Sequence, residues 1–510
     1  MKPFLFCCSI ILFSFHAIAQ TPDDALRNAW FIPGGSARSM SIGGAMGSIG
    51  GDLTSNNVNP AGIGLYKTRE IVLSPGFIFG NNTANFRGTN TGSNNSAFAY
   101  GATGFVVGGS AGESSPFKSY AFSISVNQLA NYDNHIHYKG LNDYSSYSEQ
   151  YLEELTRDQA SPTAAEQNYI FGSSLAYRTY LIDTSTGNGQ LTYFSLPNPA
   201  TGLNQEYDAV TSGSYNEVSI SLAGNINEKL YIGGSINIPI VSYRRDLTFT
   251  ESDATGNLNN NFNYSTFTEN FRSNGIGFNL KFGIIYKPQN NLRFGFAVHS
   301  PSFIWFKDQV RASMTTDTEK YAGVLSESSD NLNNGDPGQR NYLLQTPLKV
   351  IASATYLFNA VENTKMQRGF ITADIEYTGY GGSRFSPSNA SNADQATLDY
   401  YNTLTTSVSD YLKGNVNFRI GGELKFDPWA FRLGGAYYGN PYRDSQLHAN
   451  RLQAGGGIGY RNHGLFIDFG YVQTFNKDVN FPYRLNDKAN TFATINNNRG
   501  TVVITLGFKI

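Results

Sequence analysis

Cysteine is almost missing from this chain. Its 510 residues carry two, Cys7 and Cys8, both in the N-terminal leader, so the mature protein has no disulfide framework, thiol nucleophile or Cys-ligated metal. Charge is sparse as well: Asp, Glu, Lys and Arg make up 15% of the residues and sum to a formal −2. That balance gives no reason to expect nucleic acid or a strongly acidic partner. No later apolar run reaches the ~18 residues of a membrane helix, and mean hydropathy is −0.32, which excludes a helical membrane protein. His-Glu-x-x-His and the Gly-x-x-x-x-Gly-Lys-Ser/Thr phosphate loop do not occur, and no catalytic constellation is expected, nor any metal or cofactor. His135 and His137 share a strand face but read as polar residues at its wet end; His299, His448 and His463 are scattered.

Glycine and aromatic residues fill the gap, with 53 Gly, 36 Phe and 32 Tyr. This mix suits strands that meet lipid on one face and a polar lumen on the other. Period-two alternation supports it. Val502, Ile504, Leu506 and Phe508 share a face; Leu465, Ile467, Phe469 and Tyr471 stand opposite Asp468 and Gly470; Phe278, Leu280, Phe282, Ile284 and Tyr286 stand opposite Asn279, Lys281 and Gly283. Tyr120, Phe122, Ile124 and Val126 oppose Ser123 and Ser125. Asp374 and Glu376 oppose Ile375 and Tyr377, and Arg419 and Glu423 oppose Phe418 and Ile420. Charges on the second face are candidates for the lumen: Asp374, Glu376, Arg419, Glu423 and Asp468.

About fourteen strand-like segments can be marked, starting near 69, 95, 117, 214, 229, 268, 291, 344, 368, 412, 428, 448, 464 and 499. Tight turns at 226–228, 287–291, 427–428 and 461–463 alternate with long polar stretches near 140–213, 313–340, 379–411 and 476–498. A soluble sheet with one wet face has no reason to sort its loops by parity; an outer-membrane barrel has short periplasmic turns and long external loops. The expected fold is therefore all-β, a transmembrane antiparallel β-barrel of about fourteen strands over residues 66–510, with both termini periplasmic. Gly455-Gly456-Gly457-Ile458-Gly459 lies in a strand, where glycine relieves a crowded lumen rather than cradling a phosphate.

The N-terminus supplies an export signal over residues 1–19: Lys2, the apolar run Phe4 to Phe15, and Ala17-Ile18-Ala19 before Gln20. Residues 20–65 follow no period. Pro33 to Asp52 is dominated by small residues, and Asn59-Pro60-Ala61-Gly62 leads into the first strand. Such a stretch builds no core of its own but packs closely inside a host, so it is expected to plug the barrel as a hatch.

Gly35, Ser36, Ala37, Arg38, Met40, Gly43, Gly44 and Ala45, with Asn59, Pro60, Ala61 and Gly62, resemble the N-terminal hatch of the FadL-type outer-membrane transporters. That resemblance implies a channel in the Gram-negative outer membrane that takes up hydrophobic small molecules, fatty-acid-like or aromatic. External loops would capture the ligand and hatch movement would admit it. Helix-like pieces at Tyr147 to Asp158 and Thr163 to Asp183 put Ile170, Tyr177 and Leu181 on one helical face as capture candidates; otherwise these pieces only close the barrel mouth. Arg38 is expected to pair with a lumenal carboxylate, Asp374, Glu376, Glu423 or Asp468, since a buried guanidinium needs one. Asn59-Pro60 would anchor the hatch, the amide holding strand carbonyls.

The resemblance also implies a lateral opening at a kink in the third strand, but Ser123 to Tyr138 holds no glycine or proline to kink it. Expected partners are outer-membrane lipid, lipopolysaccharide and the barrel assembly machinery, read through Phe508 ahead of Lys509 and Ile510; the expected state is a monomer. An alternative of another class is a FadL-like barrel acting as a protein-secretion or surface-attachment partner. A general diffusion porin is disfavoured by the hatch.

Overall fold

The computed structural model describes residues 22–111, 115–187, 190–358 and 368–510. The signal at 1–19 lies outside the described residues. Fourteen antiparallel strands close into one barrel. They are β1 (69–86), β2 (89–110), β3 (117–142), β4 (Leu203–Ile226), β5 (Leu230–Asp253), β6 (Tyr264–Gln289), β7 (292–317), β8 (338–358), β9 (Gly369–Gly379), β10 (Gly414–Phe426), β11 (Trp429–Tyr438), β12 (Asn450–Asn462), β13 (Leu465–Asn480) and β14 (Ala493–Lys509). β14 closes the cylinder on β1, with Val503 opposite Gly76 and Leu506 opposite Leu73. Among the described residues no helix is long and apolar enough to cross a membrane.

Side-chain alternation locates the bilayer. On β5, Ile232, Ile236 and Ile240 face outward and are exposed, while Tyr231, Asn237 and Val241 are buried inward. Beyond Ile240 the outward positions become Ser242, Arg244 and Asp246. On β6 the exposed apolar set runs from Ile276 to Tyr286. Each band is about eleven residues, the length a tilted strand needs to cross the hydrocarbon. The remaining half of each strand stands above the membrane, where β5 and β6 stay paired up to Ser252 and Tyr264. Periplasmic turns are tight: Asn227 and Glu228 (φ 52° and 57°) join β4 to β5, and His463-Gly464 (φ 45° and 88°) join β12 to β13, the left-handed pairs that match strand twist.

Three external connections, 143–202, 318–337 and 481–492, are shorter than the sequence pattern suggests, because polar strand ends extend into them. The fourth, 380–413, is as long as expected and begins with a short strand, Arg384–Pro387, that pairs with β8. The first external connection is only the turn Arg87-Gly88. The helix expected over Thr163 to Asp183 is broken. α4 (Glu149–Arg157) is followed by α5 (Pro162–Gln167), α6 (Ser173–Arg178) and a hairpin, Ile182–Gly187 with Gln190–Ser195. Gly172, at φ −160° and ψ −92°, separates α5 from α6.

Candidate functional site: hatch, vestibule and wall seam

Residues 22–65 lie inside the barrel as α1 (Pro22–Arg27), α2 (Ala37–Ser41), α3 (Ser55–Val58) and a tight helical turn, Pro60–Leu65. Ser36 caps α2, its Oγ accepting from Ser39 N and donating to Asp52 Oδ2 at 2.7 Å; Asp52 Oδ1 in turn accepts from Thr54 N. Gly43 and Gly44 follow at φ +69° and +73°, a reversal that side chains disfavour. Ile42, Met46, Ile49 and Val58 pack against Ala297, Ile351, Leu357 and Phe370 of the wall.

The wall is moulded to this segment by glycine. A Cβ at Gly283 would stand 1.8 Å from Asn59 Oδ1, one at Gly421 2.3 Å from Ile42 O, and one at Gly457 2.2 Å from Ser41 Oγ. The run at 455–459 is therefore a close-approach surface. Asn59 Nδ2 donates to Gly47 O at 2.6 Å and to Ile284 O on β6 at 3.2 Å, while its Oδ1 accepts from Ala61 N.

Of the carboxylates considered for Arg38, Glu423 is its partner: Nε lies 3.2 Å from Glu423 Oε2. Glu423 also accepts from Arg432 Nε at 2.6 Å, and Arg432 pairs with Asp468 at 2.7 Å. Arg419 binds Glu376 at 2.6 Å, and Asp374 accepts from Gly47 N and Ser353 Oγ. Among the described residues, Arg38–Glu423 is the single ion pair between residues 37–65 and the wall. Other polar contacts of the segment include Arg293 NH1 donating to Ile49 O at 2.7 Å, Asn56 to Ser125, Asn57 to Glu217, and Ser48 with Ser353 and Thr355.

Above the hatch lies a vestibule of about 1730 Å³. Its floor is α1 with Trp30 and Phe31. Its roof comes from 143–202 (Tyr147, Tyr151, Tyr169, Phe171), 380–413 (Tyr400, Tyr401) and 481–492 (Phe481, Arg484). The stretch 313–340 adds only Gln339 and Arg340. Arginines intersperse the aromatics. Arg27 stacks on Tyr243 at 4.0 Å, Arg451 on Trp30 at 4.0 Å and Arg484 on Phe481 at 4.1 Å. The capture candidates fall elsewhere: Ile170 and Leu181 are buried in the loop's own core, and Tyr177 packs edge-on against Tyr193. With the helix broken at Gly172, the face toward the vestibule is Tyr147, Tyr151, Tyr169 and Phe171.

The third strand is interrupted despite lacking glycine and proline. β3 consists of Phe117–Asn131 and Asn134–Asn142. Asn131 Oδ1 accepts from Asp133 N at 3.0 Å, an Asx turn that breaks the strand. Above the break β3 pairs with β4 only, and β2 with β3 only below it, from Thr103–Val126 to Ser110–Ser119. Side chains alone bridge the upper seam: Asn131 Nδ2 donates to Phe98 O at 3.2 Å and Asn95 Nδ2 to Asp133 O at 2.8 Å. Arg499 NH2 donates to Asn131 Oδ1 at 2.9 Å. Residues Asn131 to Asn134, with Ile78 and Ala99, also line the vestibule.

The family of "Outer membrane protein transport protein (OMPP1/FadL/TodX)" matches residues 198–508, more than half of the chain. The chain belongs to that family. For this FadL/TodX-family barrel, the apolar belt and the family together give the location, the outer membrane of a Gram-negative cell. A FadL homologue from Pseudomonas aeruginosa superposes with a TM-score of 0.53 at 12% identity, covering 94% of this chain and 99% of that one. The toluene transporter TodX of Pseudomonas putida gives 0.50 at 11% identity, covering 94% and 99%. At such identities the likeness concerns the fold. A search of curated proteins finds no match to the sequence.

Sequence reasoning about this FadL/TodX-family barrel missed several residues. Arg432 and Glu217, the partner of the inward-facing Lys281, lie in alternating strands, and the inward parity that exposed Asp468 and Lys281 would have found them. One motif was also overlooked: 108–112 has the Gly-x-Ser-x-Gly spacing. Ser110 is exposed at the end of a β2 segment, not on a strand-to-helix elbow. His135 and His137 each face a cross-strand carboxylate, Asp208 at 3.0 Å and Glu206 at 2.7 Å. Among the described residues no group of three or more His, Cys, Asp or Glu is placed to hold a metal.

Proposed function

We propose that this FadL/TodX-family barrel takes up hydrophobic small molecules that also carry polar groups. The vestibule, about 1730 Å³ and lined by aromatic rings among arginines and carboxylates, carries the reading. A volume above the ~300–1,000 Å³ of ordinary small-molecule pockets suits a cargo larger than one aromatic ring, although the related Pseudomonas putida protein is named a toluene transporter. Tyr147, Tyr151, Tyr169 and Phe171 capture the apolar body, where each buried methylene contributes about 0.8 kcal/mol.

Leu26, Trp30, Phe31 and Gly34 close the vestibule from below, so admission requires this part of the hatch to shift. The Asp23–Arg484 pair and the bond from Asn127 to Gly34 O must give way for this. If the shift reaches Arg38, Glu423 keeps Arg432 as its partner. The unladdered seam beside Asn131 offers a lateral way out, which supports release into the bilayer rather than the periplasm.

The test is solvent extraction of the purified barrel followed by mass spectrometry, with Tyr147→Ala/Phe171→Ala alongside. A lipid or hydrocarbon enriched over a control barrel and depleted in the variant is the expected result. Detergent alone, with a co-purifying protein, overturns this reading in favour of a secretion or attachment partner.

A further inference from the structure

Glu251 lies eleven residues beyond Ile240, far above the apolar belt, and is 0% exposed. Its carboxylate clamps the start of the lid formed by 143–202. Oε1 accepts from Ser146 Oγ at 2.6 Å, and Oε2 accepts from Tyr147 N at 2.8 Å and from Gln205 Nε2 at 3.2 Å. Tyr147 stacks on Phe249 with ring centroids 4.5 Å apart and lines the vestibule. The same network reaches the connection 481–492, where Tyr483 Oη lies 2.7 Å from Ser145 Oγ and accepts from Gln205 and Asn142. One carboxylate thus ties β4, β5 and the lid around a ring that faces the cargo space.

A buried carboxylate of this kind ordinarily has a cation. Here none is among the groups acting on it. Burial pushes the Glu251 carboxyl up to about 7, and the hydrogen bonds from Ser146, Tyr147 and Gln205 offset this only in part. A cation bonded to the start of the lid, Lys488, is paired with Glu149 of α4 and donates to Tyr144 O, not to Glu251. Glu149 itself accepts from Ser146 N, Tyr483 is neutral, and Ser265 stands opposite on β6.

We infer that Glu251 is a proton-sensitive latch on the lid, holding it over the vestibule in acid and loosening it as the medium turns neutral to alkaline. The inference rests on the lid covering the cargo path, as argued above. The sign follows from linkage: a carboxyl raised from about 4.5 to about 7 by closure contributes full closing stability below 4.5, lost as pH rises through 7. Once protonated, the carboxyl donates to a neighbouring Ser oxygen, and no buried charge remains.

Hydrogen exchange of the lid peptide around Tyr147, in the purified full-length barrel without cargo and corrected for intrinsic exchange, tests this. Opening should increase roughly thirtyfold between pH 5.5 and 8.5 by linkage between these two values, and the slope should vanish in Glu251→Gln. Gln205→Leu, which removes an amide N–H that can serve only the charged form, should keep the slope and move its midpoint upward. A flat wild-type profile, a Glu251→Gln profile with the wild-type slope, or an unmoved midpoint in Gln205→Leu overturns the latch. Because no cargo is present, such a failure leaves the transport reading standing. Loss of cargo binding with the slope intact would count against transport alone.

Discussion

The lower and upper halves of the lumen are built on opposite rules. Within the membrane band the wall offers glycine, serine and alanine to the hatch, and main chains approach where a Cβ would stand about 2 Å from its neighbour. Above the band the wall carries tyrosine, phenylalanine and arginine around an open vestibule. The lower half is specific for one occupant, the chain's own N-terminal segment. The upper half is left open and lined by aromatic rings among guanidinium groups, whereas close packing leaves no such space below.

The largest effect is expected where the lower rule is broken outright. Gly421→Leu drives a side chain into Ile42 and should expel the hatch, turning a barrel silent in planar bilayers into one with steady ion conductance. The lipid-facing control Gly234→Leu should stay silent. Next comes the shared carboxylate. Arg432→Ala leaves Glu423 and Asp468 buried with Arg38 as the only hatch-side cation, and should cost about 3–5 kcal/mol in denaturant unfolding. Arg38→Ala, which spares the Arg432 pairs, should cost about 1–2 kcal/mol. Equal losses would mean that hatch and wall are one electrostatic unit. The smallest stability effect is expected at the seam: Asn131→Ala removes side-chain bonds worth about 1 kcal/mol yet should speed entry of a membrane-partitioning fluorescent probe. Unchanged entry would argue against lateral release.

The sequence made the lower half more legible than the upper. Alternation is strong where one face meets lipid, so strand number, the lumenal placement of Glu423 and Asp468, and the crowding at Gly457 could all be read. Above the membrane the outer face turns polar and the apolar residues move inward, as Tyr243, Leu247 and Phe249 do against Ser242, Arg244 and Asp246, so the lipid-facing pattern stops. The starts expected near 95, 214 and 499 therefore fell short of the observed Thr89, Leu203 and Ala493. The seam escaped because its break comes from Asn131 bonding its own chain, not from glycine or proline. Arg38's choice among four inward carboxylates depends on strand register across the barrel, which no local pattern encodes. Ile170 and Leu181 were misplaced because one helical period was drawn through Gly172.

The strands continue well past the lipid. From Ile240 to Glu251 the wall climbs about 25–30 Å, given ~3.3 Å per residue and a strand tilt near 40°. The rim therefore stands clear of the membrane surface by nearly the thickness of the hydrocarbon itself. On the proposed uptake route, a solute met at that height descends inside the cylinder to Asn131, at the top of the apolar belt, shielded by the wall from whatever covers the membrane surface.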